Sequence, residues 1–419
     1  MFSPLNIRVG FYLALRQLKR SSKWTTGLTV FVMLLTFLNL VVITGVLVGL
    51  VEGINESYRT QFIGDVVISS LDTKSYVDHS PEILSFLHTL PQVSAISPRY
   101  VRGGSVEANY KTRTNQNEKA ESSGTQIYGI NPLAEDALTG MSHHIIEGDY
   151  LAPGDYDQIL IGDELLAKYS FGGSIPGLTP LTNVGPGSTV RITIGSITRE
   201  VKIKGILKSK LSELSTSIFM VDTQMSTLLG DNSYNVGEIA IRLKPGTDAA
   251  TFRDLLLRSG VGESAKVQTF ADSIPNGVAD IKNTFALLGN GISSIGLIVA
   301  SITIFIVIFI NAFTRRKFIG ILKGIGVSGT AIEISYILQA FFYAVIGSGI
   351  GLLILYGFLV PFFAAHPIDF PFSDGILVAP VMDTMVRVAL LSFATVIAGY
   401  IPARMIVKKN ALDSILGRN

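Results

Sequence analysis

The chain contains no cysteine, which excludes disulfides, thiolate metal sites and a cysteine nucleophile. Charge is sparse too: Asp, Glu, Lys and Arg make up 16% of the 419 residues, low for a wholly soluble chain. No G-x-x-x-x-G-K-[ST] string occurs, so the chain has no phosphate loop with which to bind ATP itself. Histidine is limited to His79, His88, His143, His144 and His366. His143 and His144 are adjacent, but no carboxylate or third histidine stands at ligand spacing, so both are expected to be surface polar residues. No catalytic residue and no metal site is expected, and no motif supports catalysis by this chain. The net charge of +2 is carried by short loops, and no nucleic-acid partner is expected.

Apolar sequence is what the chain has in abundance. Four long runs, 25–51, 285–313, 334–364 and 380–403, each exceed the ~20 helical residues needed to cross a ~30 Å hydrocarbon core. Their flanks are unequal in charge. Arg8, Arg16, Lys19, Arg20 and Lys23 precede the first run, Arg315, Arg316, Lys317 and Lys323 follow the second, and Arg404, Lys408, Lys409 and Arg418 follow the fourth. The connection 365–379 has only Asp369 and Asp374. Short basic loops stay cytoplasmic. The expected layout is a cytoplasmic amphipathic segment 1–24, a first span 25–51, an external domain with stalk helices 52–284, a second span 285–313, a cytoplasmic loop 314–333, a third span 334–364, an external loop 365–379, a fourth span 380–403 and a cytoplasmic tail 404–419. The first run is too long for the core of a signal peptide and is expected to be an uncleaved signal-anchor.

In residues 6–23, Ile7, Phe11, Leu15 and Leu18 fall on one helical stripe with basic residues around them, a pattern suited to the cytoplasmic membrane interface. Within 52–284 the β-branched runs 65–69, 95–101, 126–130, 158–161, 189–194, 200–207, 218–221 and 238–243 predict strands. Helices are predicted over 81–89, 164–169, 223–229 and 249–259. The polar stretch 102–124 predicts an exposed loop or long hairpin, and the Gly/Pro-dense stretch 172–187 predicts a loop. The fold class is thus an α-helical membrane protein with four transmembrane helices and a mixed α+β extracytoplasmic domain.

Three features near the spans carry potential function. Asp383 and Arg387 stand at i and i+4 near the start of the fourth run, and an interfacial salt bridge is expected there. Gly45/Gly49 and Gly347/Gly351 have the GxxxG spacing that lets helices approach closely in lipid. The loop 314–328 predicts a short helix on which Ile319, Leu322 and Ile325 or Lys323 recur at helical spacing. Gly326 and Ser328 mark its end, and an apolar face of this kind presented to the cytosol needs a partner.

The string Arg-Arg-Lys-Phe-Ile-Gly-Ile-Leu-Lys-Gly-Ile-Gly-Val-Ser at 315–328, followed by Gln339 and the Gly347/Gly351 pair, resembles the signature of the FtsX-like permeases, the membrane subunits of MacB- and LolCDE-type ABC transporters. The resemblance extends to Gly-Leu-Val-Glu-Gly at 49–53, Tyr-Gly-Ile-Asn-Pro at 128–132, Ile-Gly-Asp-Glu-Leu-Leu-Ala at 161–167, Val-Lys-Ile-Lys-Gly-Ile-Leu at 201–207 and the ending 402–416. It implies an external domain of the MacB-like periplasmic core type. It also implies a bacterial or archaeal cell (inner) membrane and a permease paired with a second permease subunit, identical or not. A cytosolic ABC ATPase subunit would bind ATP and Mg, since this chain binds no cofactor itself. On this resemblance Arg315, Arg316, Lys317, Ile319, Gly320, Leu322, Lys323 and Gly326 would couple to the ATPase. Phe318 departs from the pattern where relatives commonly carry an acid, and Gly324 where Ala is common. Length and the Gly-Ile-Asn-Pro and Glu-Gly-Ile-Asn strings are similar to the LolC/LolE lipoprotein-releasing subunits. That implies lipoprotein or lipid release, contact with membrane lipid and a periplasmic carrier or adaptor. The alternatives are export of a drug, peptide or toxin with an adaptor protein, or regulation of an external cell-wall enzyme.

Overall fold

The computed structural model describes residues 4–408 apart from 112, 114–119, 171–177, 231–232, 275, 367, 371–372 and 376. In chain order the helices and strands begin with α1 (Pro4–Arg20) and α2 (Lys23–Tyr58), the latter prolonged by a π-helical turn at Arg59–Ile63. Next come β1 (Val66–Ser69), α3 (Ser80–Thr89), β2 (Val93–Glu107), β3 (Ser122–Ile130), α4 (Pro132–Thr139), β4 (Ile145–Gly148) and β5 (Gln158–Gly162). They are followed by β6 (Thr189–Ile194), β7 (Ile197–Leu207), β8 (Ser217–Val221), α5 (Asp222–Leu229), β9 (Glu238–Leu243), α6 (Ala249–Arg258) and β10 (Lys266–Thr269). The chain closes with α7 (Asn276–Thr314), α8 (Arg316–Gly324), α9 (Gly329–Ile354) and α10 (Val381–Val407). Two compact units result, one of residues 1–52, 280–370 and 374–419, the other of 53–279 with 371–373. Of the expected tail 404–419, residues 409–419 lie outside the described residues.

Four helices among the described residues are long and apolar enough to cross a membrane: Lys23–Ile63, Asn283–Thr314, Gly329–Ala365 and Val381–Val407. The third begins at Gly329 because Ser328 caps it, its side chain accepting from the Ala331 amide. Buried Met33, Phe37, Tyr336, Tyr343 and Leu391 belong to one apolar cluster of the first unit. In α1 the buried residues are Gly10, Ala14 and Gln17, whereas Ile7 and Phe11 are exposed. Those small and polar residues meet α9: a Cβ on Gly10 would lie 2.6 Å from Ile334 Cγ2, and the Gln339 amide donates to the Gln17 side-chain carbonyl. Asn6 completes the seam, donating to the Thr330 hydroxyl and accepting from that of Ser328. Amides that satisfy one another can be buried, and glycine admits the close approach. The apolar stripe is left to face outward.

The second unit is a mixed sheet in the order β10-β1-β9-β2-β3-β8-β5-β7-β4, with β6 bridging β2 and β7. The β3–β8 and β5–β7 pairs are parallel, and the remaining pairs are antiparallel. Alternating apolar residues such as Ile127, Ile159, Ile203 and Ile218 fill its main core, as the period-2 pattern of the strands requires. The polar stretch 102–124 starts and ends as a hairpin, with Arg102 opposite Ile127 and Glu107 opposite Ser122. Its residues 112 and 114–119 lie outside the described residues, as do 172–177 of the Gly/Pro-rich stretch. One predicted helix is absent. Over 164–169 there is only a 3-10 turn, Asp163–Leu165, because Leu166 forms a bridge with Leu181 that draws the backbone into an extended path.

Candidate functional site

The loop between α7 and α9 folds as α8, whose two faces differ. Ile319 is 1% exposed and, with half-buried Leu322, belongs to the apolar cluster of the membrane unit. Lys323 Nζ donates to the Val407 carbonyl at 2.9 Å, placing a cation at the C-terminus of α10 where the helix dipole favours it. Arg315 stands at the N-cap position, and the Arg316 guanidinium lies 4.7 Å from the centroid of the Phe313 ring. Gly320 is buried, and Gly326 adopts φ +94°, a conformation that favours glycine and ends the helix. The opposite face is open: Lys317, Phe318, Ile321 and Ile325 are exposed. The expected stripe of Ile319, Leu322 and Ile325 or Lys323 is divided, with Ile319 and Leu322 packed inward and Ile325 exposed. Ile319 and Leu322 hold α8 to its own chain, and the unpartnered stripe is Phe318, Ile321 and Ile325. Both stripes are apolar and helically spaced, so only packing separates them.

The glycines of the GxxxG spacings have different neighbours. A Cβ on Gly347 would stand 2.5 Å from Met33 Cβ, and one on Gly351 would overlap the Phe37 ring, so α9 lies directly on α2 at these positions. Gly45 instead meets the segment preceding α10, where a Cβ would be 2.7 Å from the Val378 carbonyl oxygen. Gly49 is buried.

A polar pocket lies among α2, α7 and α10. Arg387 Nη1 donates to the Leu40 carbonyl and to the Thr44 hydroxyl, each at 3.1 Å, and Thr44 shares a hydrogen bond of 3.0 Å with Ser293. The expected Asp383–Arg387 salt bridge is not among the ion pairs of the described residues. The guanidinium bonds instead to groups on α2. Both side chains line a cavity of about 330 Å³.

The outer unit holds the last turns of α2 by a buried charge cluster. Arg99, on β2, is 1% exposed and Glu135, on α4, is fully buried. The guanidinium donates to both Glu135 oxygens at 2.7 and 2.8 Å, to Glu238 at 2.8 Å and to the Phe62 carbonyl at 2.7 Å. Burial alone would lower its pKa, but Glu135 and Glu238 outweigh that and raise it. Arg242 adds a bond to the Thr60 carbonyl at 2.8 Å, and the Tyr58 hydroxyl donates to Glu213. The sequence reading missed this clamp. The one available signal was an arginine in an otherwise strand-like run, which takes on meaning only when Glu135 arrives from another element.

A family profile described as the MacB-like periplasmic core domain matches residues 26–258, and one described as the FtsX-like permease C-terminal matches residues 290–411. The chain belongs to the FtsX/MacB-type permeases. With its four apolar helices it is a multi-pass membrane protein bearing an extracytoplasmic domain. An uncharacterized ABC transporter permease from Methanocaldococcus jannaschii is 24% identical over 227 residues, covering 52% of this chain and 55% of that relative. The macrolide export ATP-binding/permease protein MacB of Campylobacter fetus is 26% identical over 201 residues, covering 46% of this chain and 30% of its own length. This chain thus spans about half or less of the length of these relatives. The solved periplasmic region of MacB from Actinobacillus actinomycetemcomitans aligns with 52% of this chain and 94% of its own at TM-score 0.35 and 13% identity, too slight a likeness to argue from. Kinship with the LolC/LolE subunits in particular is not carried by these matches.

Proposed function

We propose that this FtsX/MacB-type chain is the permease subunit of an ABC transporter in which a separate cytosolic ATPase binds ATP and Mg. The observation that carries this reading is the exposed Phe318, Ile321 and Ile325 stripe of α8, with Lys317 beside it. A rigid apolar helix face held to the bundle by Ile319, Leu322 and Lys323 suits a docking contact, because movement of a partner would be passed on rather than absorbed. Basic residues flanking the spans support placing α8 and both termini on the cytoplasmic side. A second permease subunit, identical or not, completes the assembly in this reading.

For cargo, lipoprotein or lipid release from the inner membrane to a periplasmic carrier is the first reading, supported by the resemblance of the Gly-Ile-Asn-Pro and Glu-Gly-Ile-Asn strings. Export with an adaptor protein is the second, favoured by relatives named for macrolide export. The test is affinity purification of the full chain from its own membranes in mild detergent. Recovery of a P-loop ATPase with wild type, and its loss with Phe318→Asp plus Ile321→Asp, supports coupling through α8. Equal recovery with the double variant removes α8 as the docking site, and no ATPase in either sample removes the transporter reading.

A further inference from the structure

Arg387 lies in the second turn of α10, about 9 Å along the axis from Val381 at 1.5 Å per residue. A cation there is near the end of a membrane helix rather than at mid-bilayer, the depth of lipid headgroups. Its Nη1 is used by Leu40 and Thr44. Nε and Nη2 have no protein partner among the described residues, and these two donors form the edge of a guanidinium that grips a phosphate in bidentate fashion. Asp383, whose charge acts on Arg387, makes no hydrogen bond or ion pair among the described residues and lines the same cavity of about 330 Å³. Asp383 stands closer to the start of the helix by about 6 Å along the axis. Leu390, one turn beyond Arg387 on α10, and Leu297 on α7 supply an apolar wall, with Leu40 and Val386 beside the guanidinium.

From this arrangement we propose that the pocket among α2, α7 and α10 binds a phospholipid whose headgroup carries a primary amine, with its phosphate on Arg387, its ammonium on Asp383 and its upper acyl chain against Leu297 and Leu390. The order of the three groups along the helix is that of such a lipid lying in a bilayer: amine toward water, phosphate next, hydrocarbon deepest. A purely anionic ligand would leave the Asp383 carboxylate facing a like charge. A ligand without a phosphate would leave the bidentate edge of Arg387 unused. The site does not depend on whether α8 docks an ATPase.

The test is native mass spectrometry of the delipidated full chain in maltoside micelles, with phosphatidylethanolamine, phosphatidylglycerol, phosphatidylcholine or inorganic phosphate added. The expected result is roughly tenfold preference for phosphatidylethanolamine over the other two lipids, equivalent to ~1.4 kcal/mol. Asp383→Asn should erase the preference while keeping lipid bound, Arg387→Leu should lose all three lipids, and Arg387→Lys should recover part of the binding. Leu297→Trp, which fills the pocket and leaves both charges, should also lose lipid and guards against a misfolded Arg387 variant. Three results would overturn the proposal: equal lipid binding by wild type and Arg387→Leu, full displacement by inorganic phosphate, which would make this a free-anion site, or a changed oligomeric state in lipid-free Arg387→Leu, which would assign Arg387 to a contact between chains.

Discussion

Arg99 Nη2 lies 2.7 Å from the carbonyl oxygen of Phe62, and the same guanidinium lies 5.0 Å from the centroid of the Phe62 ring. One side chain therefore holds both the backbone and the ring of the penultimate residue of the π-helical extension of α2. It can do so while buried because Glu135 and Glu238 neutralise it. Removing one partner of a buried ion pair leaves the other charge uncompensated, at a cost of about 3–5 kcal/mol. Arg99→Met should thus destabilise the outer unit by that order, and Arg99→Met with Glu135→Leu should be milder. Hydrogen exchange on the full chain should show faster exchange around residues 58–63 in the single variant, with protection in α9 unchanged. Unchanged exchange at 58–63 would mean that the clamp does not hold the helix end.

The outer unit also has a proton-sensitive position. His144 is half-buried, and burial, followed by the neighbouring His143, holds its pKa below the usual imidazole value. The unfolded chain then binds the proton more readily than the folded one. The stability contributed by neutral His144 is fully present above the unfolded value of ~6.5 and is lost as pH falls through the depressed folded value. Buried Asp163 and half-buried Asp222, whose pKa values burial raises, act in the opposite sense at lower pH, so the useful quantity is a difference. The unfolding midpoint of His144→Gln should gain on that of wild type as pH is lowered from ~7.5 to ~5. Parallel curves for the two proteins would remove His144 as the cause.

Periodicity alone made much of this molecule legible. Residues of 285–313 or 334–364 cannot avoid reading as spans, and runs such as 189–194 or 238–243 alternate as strands must. What stayed hidden was the choice between equally apolar faces. Hidden too was the seam of α1 on α9, because a pairing of Gln17 with Gln339 has no signature along the chain. α8 buries Ile319 and exposes Ile321, a choice made by the bundle around it. Arg387 likewise paired on paper with Asp383 at i−4, while its partners sit more than three hundred residues away at Leu40 and Thr44. Long-range polar pairs are decided by the assembled fold.

The close approach of α9 to α2 makes a discriminating test of small residues. Gly347→Ala would push a methyl to 2.5 Å from Met33 Cβ and 3.1 Å from the Leu34 amide nitrogen. Overpacking of this kind costs about 1–3 kcal/mol, here without a flexible side-chain end that can give way. Gly349→Ala, two residues on, meets nothing within 4 Å and is the matched control. In detergent, Gly347→Ala should lower the thermal midpoint while Gly349→Ala leaves it level or raises it through helix propensity. Equal effects would show that contact with Met33 does not decide the outcome.

The two stripes of α8 should separate folding from docking. Ile319 is buried in the membrane-unit cluster, and an aspartate there would bury an unpaired charge, a substitution of the most damaging kind. Ile321 is 52% exposed, and an aspartate there removes an apolar surface residue without opening the core. Ile319→Asp should therefore reduce the amount of folded chain in the membrane and broaden or abolish its thermal transition. Ile321→Asp should keep both within the range of ±0.5 kcal/mol typical of surface changes. Should Ile321→Asp nevertheless lose ATPase recovery at normal thermal stability, the loss lies in the contact rather than in the fold. If instead Ile319→Asp folds normally, the inward face of α8 is not part of the packed unit, and the docking stripe must be reassigned to Ile319 and Leu322.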